Sequence, residues 1–174
     1  MRDGTRNAHE AVDATFGTLD LSLRSDYERF LTAHFMAVAP LQPLFAGFTK
    51  RHLGVSVPDY PALLRDDLTA IGIAPDLLPQ LDVDGIDERA AGYVVAGSRL
   101  GMSMIRRRGY WHAEPAGRSS YMDDDQGIVV WRHLLKWFAE QRADQAEAEI
   151  ICEAARRCFD LFKKAFAMSE GAKG

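Results

Sequence analysis

The sequence predicts an all-α fold: one compact domain built as a bundle of several helices with short connections. Three observations carry that expectation. The long segments repeat their apolar residues at helical spacing, no segment alternates apolar with polar residues as a half-buried strand does, and no internal repeat divides the chain. At 174 residues and 47% apolar content, the chain suits a single ordinary core. The helical domain is expected to span 1–168, with 169–174, "SEGAKG", as a disordered tail.

The first helix is read over Asp3 to Thr15. Thr5, His9, Val12 and Phe16 fall at steps of four, three and four, one helical stripe, which points His9 inward beside Val12. A second helix is expected to open at "SDYE", where Ser25 caps the backbone and Glu28 reaches back in a capping box, and to run until Pro40 and Pro43 interrupt it. "PDYPALLRDDLTAIG" forms a third, amphipathic helix closing at Gly72, and "LLPQLDVDGID" connects it to the next.

The fourth helix, about Asp87 to Arg107, contains "GYVVAGSRLGMSM". After it comes a long polar and aromatic loop, "GYWHAEPAGRSSYMDDDQG", from Gly109 to Gly127, a type of segment that is often functional. "IVVWRHLLKWFAEQ" and "ADQAEAEIICEAARRCFDLFKKAFAM" supply two more helices; Ile150, Ile151, Ala154, Cys158, Leu161, Phe162 and Ala165 keep helical spacing in the last.

Composition narrows the function classes. The net charge is −4 with both signs interspersed, which argues against nucleic acid as a partner, and "RRR" at Arg106 to Arg108 reads as a solvated helix end at the negative pole of the dipole. The N-terminus lacks the apolar core of a signal peptide, and no segment reaches the ~18 uninterrupted apolar residues of a membrane span. A cytoplasmic location without a membrane partner is the expectation. Cys152 and Cys158 lack CxxC spacing, so a reduced, buried pair is expected and not a disulfide or zinc site.

Gly97 and Gly101 raise the main question. Each interior glycine costs a helix about 1 kcal/mol relative to alanine. Four apart, they share one face. Either they let a neighbouring helix approach closely, or they let a flat ligand lie on bare backbone; the spacing does not choose.

His34, His52, His112 and His133 share no metal-ligand spacing. Haem iron, however, needs only one protein nitrogen, so His9 alone could serve. Arg132 and Lys136 form an i,i+4 basic pair beside Trp131 and Trp137: a solvated edge, or an anchor for a ligand with two carboxylates, with Arg2 able to assist. Phe159 and Phe166 are core residues or the wall of an apolar pocket. No GxSxG, Walker or Rossmann motif is present, and "DDD" at Asp123 to Asp125 lacks EF-hand spacing.

Together these pieces resemble the haem oxygenase family, in particular its bacterial branch often associated with bacteriophytochromes, over nearly the whole chain from Arg2 to Phe166. "TRNAHE" is similar to the first-helix motif in which a threonine precedes the iron-binding histidine by four residues, here Thr5 and His9. "RFLTAHFMAVAPL" and "LLRDDLTAIGI" resemble the second helix and following segment of that branch, and "YVVAGSRLG", with Tyr93, Gly97, Ser98 and Gly101, resembles its distal-helix signature.

The resemblance implies a haem oxygenase-like fold and an oxidoreductase that opens haem b, both substrate and cofactor, to biliverdin, carbon monoxide and iron. It uses O2 and electrons from an external donor of ferredoxin or flavoprotein type. His9 would bind the iron, its other ring nitrogen held by Thr5, Glu10 or Asp13. Gly97, Ser98 and Gly101 would form the catalytic distal surface; Arg132, Lys136 and Arg2 would hold the propionates; and Phe159 and Phe166 would line the pocket. A bacteriophytochrome or other signalling protein would be the downstream partner. Two positions depart from the family pattern: Met102 replaces a second small residue and either intrudes over the iron or turns into the core, and Ser98 stands where animal enzymes carry an aspartate. The alternatives are a haem-binding or signalling protein without turnover and, third, a thiaminase-like helical enzyme, for which no carboxylate and cysteine constellation is found.

Overall fold

A computed structural model describes residues 2–111, 118–141 and 144–170, all but the side chain of Arg2. Among them there is no strand, and the all-α expectation holds. Seven α-helices follow one another: α1 (Arg2–Phe16), α2 (Arg24–Phe48), α3 (Tyr60–Ala70), α4 (Glu88–Arg108), α5 (Ser120–Asp123), α6 (Gln126–Glu140) and α7 (Gln145–Met168). A π-helical turn, Thr49–Leu53, extends α2, and a 3-10 turn, Pro75–Leu77, lies between α3 and α4.

α2 is the central helix and packs on α3, α4 and α7. Tyr27, Phe30, Leu31, Met36, Leu41, Phe45 and Phe48 supply its buried surface. By length and composition 24–53 could cross a membrane, but most of its apolar window is buried inside the bundle. α1 lies along α7 in the same direction, Gly4 against Cys152 at one end and Phe16 against Phe166 at the other. α6 runs antiparallel to α4, pairing Gly92 with Leu134 and Tyr93 with Phe138. Both α1 and α4 therefore rest on α7 and scarcely touch each other.

Local chemistry explains most boundaries. Asp59 caps α3 by accepting from the Ala62 amide at 3.1 Å, Asp87 caps α4 through the Arg89 amide at 2.8 Å, and Asp144 caps α7 through the Glu147 amide at 2.8 Å. Gly72 and Gly109 leave α3 and α4 at φ +88° and +84°, backbone angles that side chains strongly disfavour.

Four expectations are corrected. Pro40 and Pro43 do not interrupt α2. Each removes an amide donor, a cost of about 3 kcal/mol in an isolated helix. Beyond them Leu41, Phe45 and Phe48 are fully buried, each worth about 1.5–3 kcal/mol, so packing offsets the prolines. Ser25 is not the cap: α2 begins at Arg24 after Leu23, which makes no side-chain cap bond, and Glu28 accepts from Arg24 Nε at 2.6 Å instead of reaching back. The chain enters α2 early because Asp20 holds the preceding turn, accepting from Ser22 N at 3.0 Å while its own amide donates to Asp26.

The loop from Gly109 to Gly127 is not wholly irregular, since it contains α5 and the first two residues of α6; 112–117, with His112, lie outside the described residues. The tail expected from Ser169 begins inside the fold. Ser169 is buried and accepts from Arg29 Nε, and Glu170 pairs with Arg29 at 2.7 Å; 171–174 lie outside the described residues.

Candidate functional site

The site expected from the sequence draws on α1, α4, α6 and α7. His9 does not point inward. Its side chain is 56% exposed, at the rim of the stripe that Thr5, Val12 and Phe16 occupy, because α1 packs mainly on α7 and so buries only a narrow sector. Nδ1 of His9 lies 3.1 Å from Asp13 Oδ2, one helical turn on. Of the three groups expected to fix that nitrogen, Asp13 is seen beside it. The contact leaves Nε2 directed elsewhere, the arrangement in which a carboxylate selects the tautomer of a ligating imidazole. The ring edge of Phe159 backs the imidazole, with centroids 5.6 Å apart. Thr5, one turn earlier on α1, is buried, 2% exposed.

On α4 the two glycines differ. Among the described residues, nothing lies within 4 Å of a Cβ on Gly101, and the residue is exposed. The close-packing explanation is thereby removed at Gly101, where no neighbouring helix approaches. A Cβ on Gly97 would instead come within 3.3 Å of the Trp131 ring, so that position is not bare: an indole from α6 covers it. The expectation that both glycines leave room for a ligand is corrected to Gly101 alone. The reason is the antiparallel packing of α6, which brings Trp131 over Gly97 and next to Tyr93, ring centroids 5.3 Å apart.

Met102 is 4% exposed and packs in the core. Of its two expected fates, turning inward is the observed one. Ser98 is half-buried; its hydroxyl donates to the Val95 carbonyl at 2.8 Å and is also hydrogen-bonded with the buried Tyr121 hydroxyl.

Arg132 and Lys136 both stand in solvent on α6. Lys136 faces Glu140 at 3.9 Å, and Arg132 makes no ion pair among the described residues. Phe159 and Phe166 are buried, but they are not equivalent. Phe159 touches His9, while Phe166 packs on Phe16 and under the Arg29 guanidinium, 3.9 Å from its ring centre, away from the imidazole. Arg2 opens α1, and its side chain is outside the described residues.

Compared with protein-family models, with curated proteins and with solved structures, the chain matches none. Among the described residues, no three His, Cys, Asp or Glu side chains are grouped to hold a metal ion. Cys152 and Cys158 are buried thiols outside any disulfide, and burial pushes the Cys158 thiol up to about 12, so it stays protonated.

Two hollows lie elsewhere. One of about 630 Å³ sits where the start of α2 meets the ends of α3 and α7, lined by Arg24, Arg29, Thr32, Ile71 and Glu170. The other, about 520 Å³, lies between the start of α4 and α7, lined by Gly85, Asp87, Ile150, Glu153 and Arg157. Neither includes His9 or Gly101.

One buried group escaped the reading from sequence. Arg99 is 1% exposed, its guanidinium carbon 4.8 Å from the Tyr60 ring centre and 4.5 Å from that of Tyr121. Nη2 donates to the Tyr121 carbonyl at 2.5 Å, and Nε stands 3.7 Å from Asp124 Oδ2. Gly127 is small for this reason: a Cβ there would lie 2.4 Å from both Arg99 Cγ and Tyr60 OH. Spacing alone could have found Arg99, since Val95, Arg99 and Met102 follow i, i+4, i+7 on the buried face of α4.

Proposed function

We propose that this protein is a haem oxygenase that binds haem b between His9 on α1 and the open face of α4. The observation that carries the reading is Gly101: a helix-interior glycine, exposed, with nothing among the described residues within 4 Å of where its Cβ would be. Neither helix packing nor backbone conformation accounts for it, whereas a flat macrocycle lying on the backbone does.

The remaining residues fit the group. His9 offers Nε2, with Nδ1 held by Asp13. The carboxylate selects the tautomer of the imidazole and fixes its plane. The Phe159 ring packs against the imidazole at near right angles. Arg132 and Lys136, both in solvent, are able to take two propionates through charge-assisted bonds. Met102, buried, keeps the face clear of its thioether.

Haem, when bound, supplies the oxygen chemistry that opens its own ring to biliverdin, carbon monoxide and iron, with O2 and electrons from an external donor of ferredoxin or flavoprotein type. The chain's part is to hold the iron side, exclude bulk water from the α4 face and fix the in-plane position. A bacteriophytochrome or another signalling protein is the proposed recipient of the product, and the proposed location is the cytoplasm.

One observation favours a second reading, a haem-binding or signalling protein without turnover. The Ser98 proton is committed to Val95, so α4 presents no side-chain proton donor at that position.

Mixing the purified protein with hemin tests both. A saturable Soret band is expected, and His9→Ala should lose it or convert it to that of unligated haem. Asp13→Asn should keep the band and shift the reduction potential upward, since an uncharged partner on Nδ1 makes the imidazole a weaker electron donor to ferric iron. Ascorbate or a ferredoxin system should then replace the band with broad red biliverdin absorption. A His9-dependent band with no ring opening supports the second reading, and no saturable band overturns both.

A further inference from the structure

The difference between the two glycines reaches beyond the question of what binds. Trp131 contributes the edge of its six-membered ring to Gly97, with Cζ3 at 3.3 Å, Cη2 at 3.5 Å and Cε3 at 3.8 Å from the position of a Cβ. Tyr93, one turn earlier on α4, sits beside the same indole, and Phe138 lies against Tyr93 at 6.2 Å. The ring is thus half-buried and braced over the stretch from Tyr93 to Gly97. One turn further along, Gly101 is open.

A braced aromatic edge standing on a helix is a boundary for anything flat lying on that helix. A ligand resting at Gly101 cannot extend over Gly97 without displacing the indole. The next residue of α6 is Arg132, exposed and without an ion pair among the described residues, so the boundary and an anchoring cation are one peptide unit apart. A planar ligand carrying acidic groups would meet both at once.

We propose that Trp131 is a positioning residue of this site: its indole, seated in the space that Gly97 leaves, bounds the open face at Gly101 and sets the in-plane orientation of a flat ligand with two carboxylates. The inference rests on the haem-binding reading. It reverses the role of Gly97, which makes room for the indole and not for the ligand. Rotation within the plane decides which edge of a porphyrin faces the interior, so Trp131 would be a specificity determinant.

The test uses the full chain, hemin, and the variants Gly97→Ala, Gly101→Ala, Trp131→Phe and Trp131→Ala. Thermal melting confirms that each is folded. Affinity is read from the Soret titration, and in-plane orientation from the ring-methyl proton shifts of the cyanide-ligated ferric complex. Gly101→Ala should weaken hemin binding about tenfold or more, and Gly97→Ala by less than about threefold. Trp131→Ala should keep a His9-dependent band but change the methyl pattern, and Trp131→Phe should restore most of the wild-type pattern. Any change of pattern caused by Gly97→Ala should vanish when Trp131→Ala is already present, because the two residues act as one contact.

Equal losses of affinity in Gly97→Ala and Gly101→Ala, or an unaltered methyl pattern in Trp131→Ala, would overturn the positioning role while leaving haem binding intact. A wild-type protein with no saturable band overturns the haem reading, and this inference with it.

Discussion

At the scale of single residues, His34 has the clearest titration behaviour. Its ring is buried between Phe30, Phe16 and Phe162, with centroids at 4.0, 4.9 and 5.6 Å, and Nδ1 lies 2.9 Å from the Phe30 carbonyl. Burial, with a smaller contribution from Arg99, pushes its pKa down from 6.5 to about 4. The folded protein therefore keeps His34 neutral where the unfolded chain takes up a proton. Its contribution is complete above pH 6.5 and declines as the pH falls toward 4, by about 3 kcal/mol at 1.36 kcal/mol per unit. Asp87, held below the usual carboxylate range by Arg89, adds to acid instability only below its ordinary 3.8. Urea midpoints measured across pH 4 to 7 should fall on acidification in the wild type and flatten in His34→Leu. A wild-type midpoint that stays level through that window contradicts the argument.

Among elements, the short helix α5 depends on a carboxylate from another part of the chain. Asp67 of α3, 9% exposed, accepts from the Ser119 hydroxyl and from the amides of Ser120 and Tyr121 at 2.9 and 3.0 Å. Ser119 in turn accepts from the Met122 amide at 3.0 Å. Four residues cannot sustain a helix by themselves, because nucleation is unfavourable. The interhelical anchor supplies what length does not. Burial raises the pKa of Asp67 while the three donors oppose the rise, so the carboxylate is costly to bury and costly to remove. Asp67→Ala should lower unfolding free energy by about 3 kcal/mol, the loss of three bonds to a charged acceptor with their donors stranded. Hydrogen exchange should speed at Ser120 and Tyr121 and stay slow in α2. Unchanged exchange at those two amides would mean that the anchor is not what orders α5.

For the whole molecule, ligand binding and stability are linked. Hemin at about a hundred times its dissociation constant should stabilise the fold by about 2.7 kcal/mol. For a domain of this size that raises Tm by roughly 5–10 °C. The gain should disappear in His9→Ala. Because α1 packs chiefly on α7, a ligand bridging α1 and α4 would join parts of the bundle that have little mutual contact, so α1 should gain the largest protection from proteolysis. A uniform rise in protection, or none in α1, would place the ligand elsewhere.

The helical class, the buried cysteines and the inward face of α7 from Ile151 onward were legible in the sequence, because each follows from residues within a turn or two of one another, whereas Ile150, read on the same stripe, stands exposed. The prolines of α2 misled for the same reason: their local cost is real, but the buried Leu41, Phe45 and Phe48 that offset it acquire their energy from α3, α4 and α7. Spacing placed His9 on a stripe, yet exposure depended on how narrow a sector α7 covers. Gly97 and Gly101 are equivalent in one dimension, and only the arrival of Trp131 from α6 made them different. Met102 likewise had two fates until the neighbours of α4 were in place. The sequence by itself determined that the fold is all-α and which residues carry candidate chemistry, since periodicity is short-range. Tertiary structure alone decided which of those residues face open space, because a side chain's surroundings are set by helices distant in the chain.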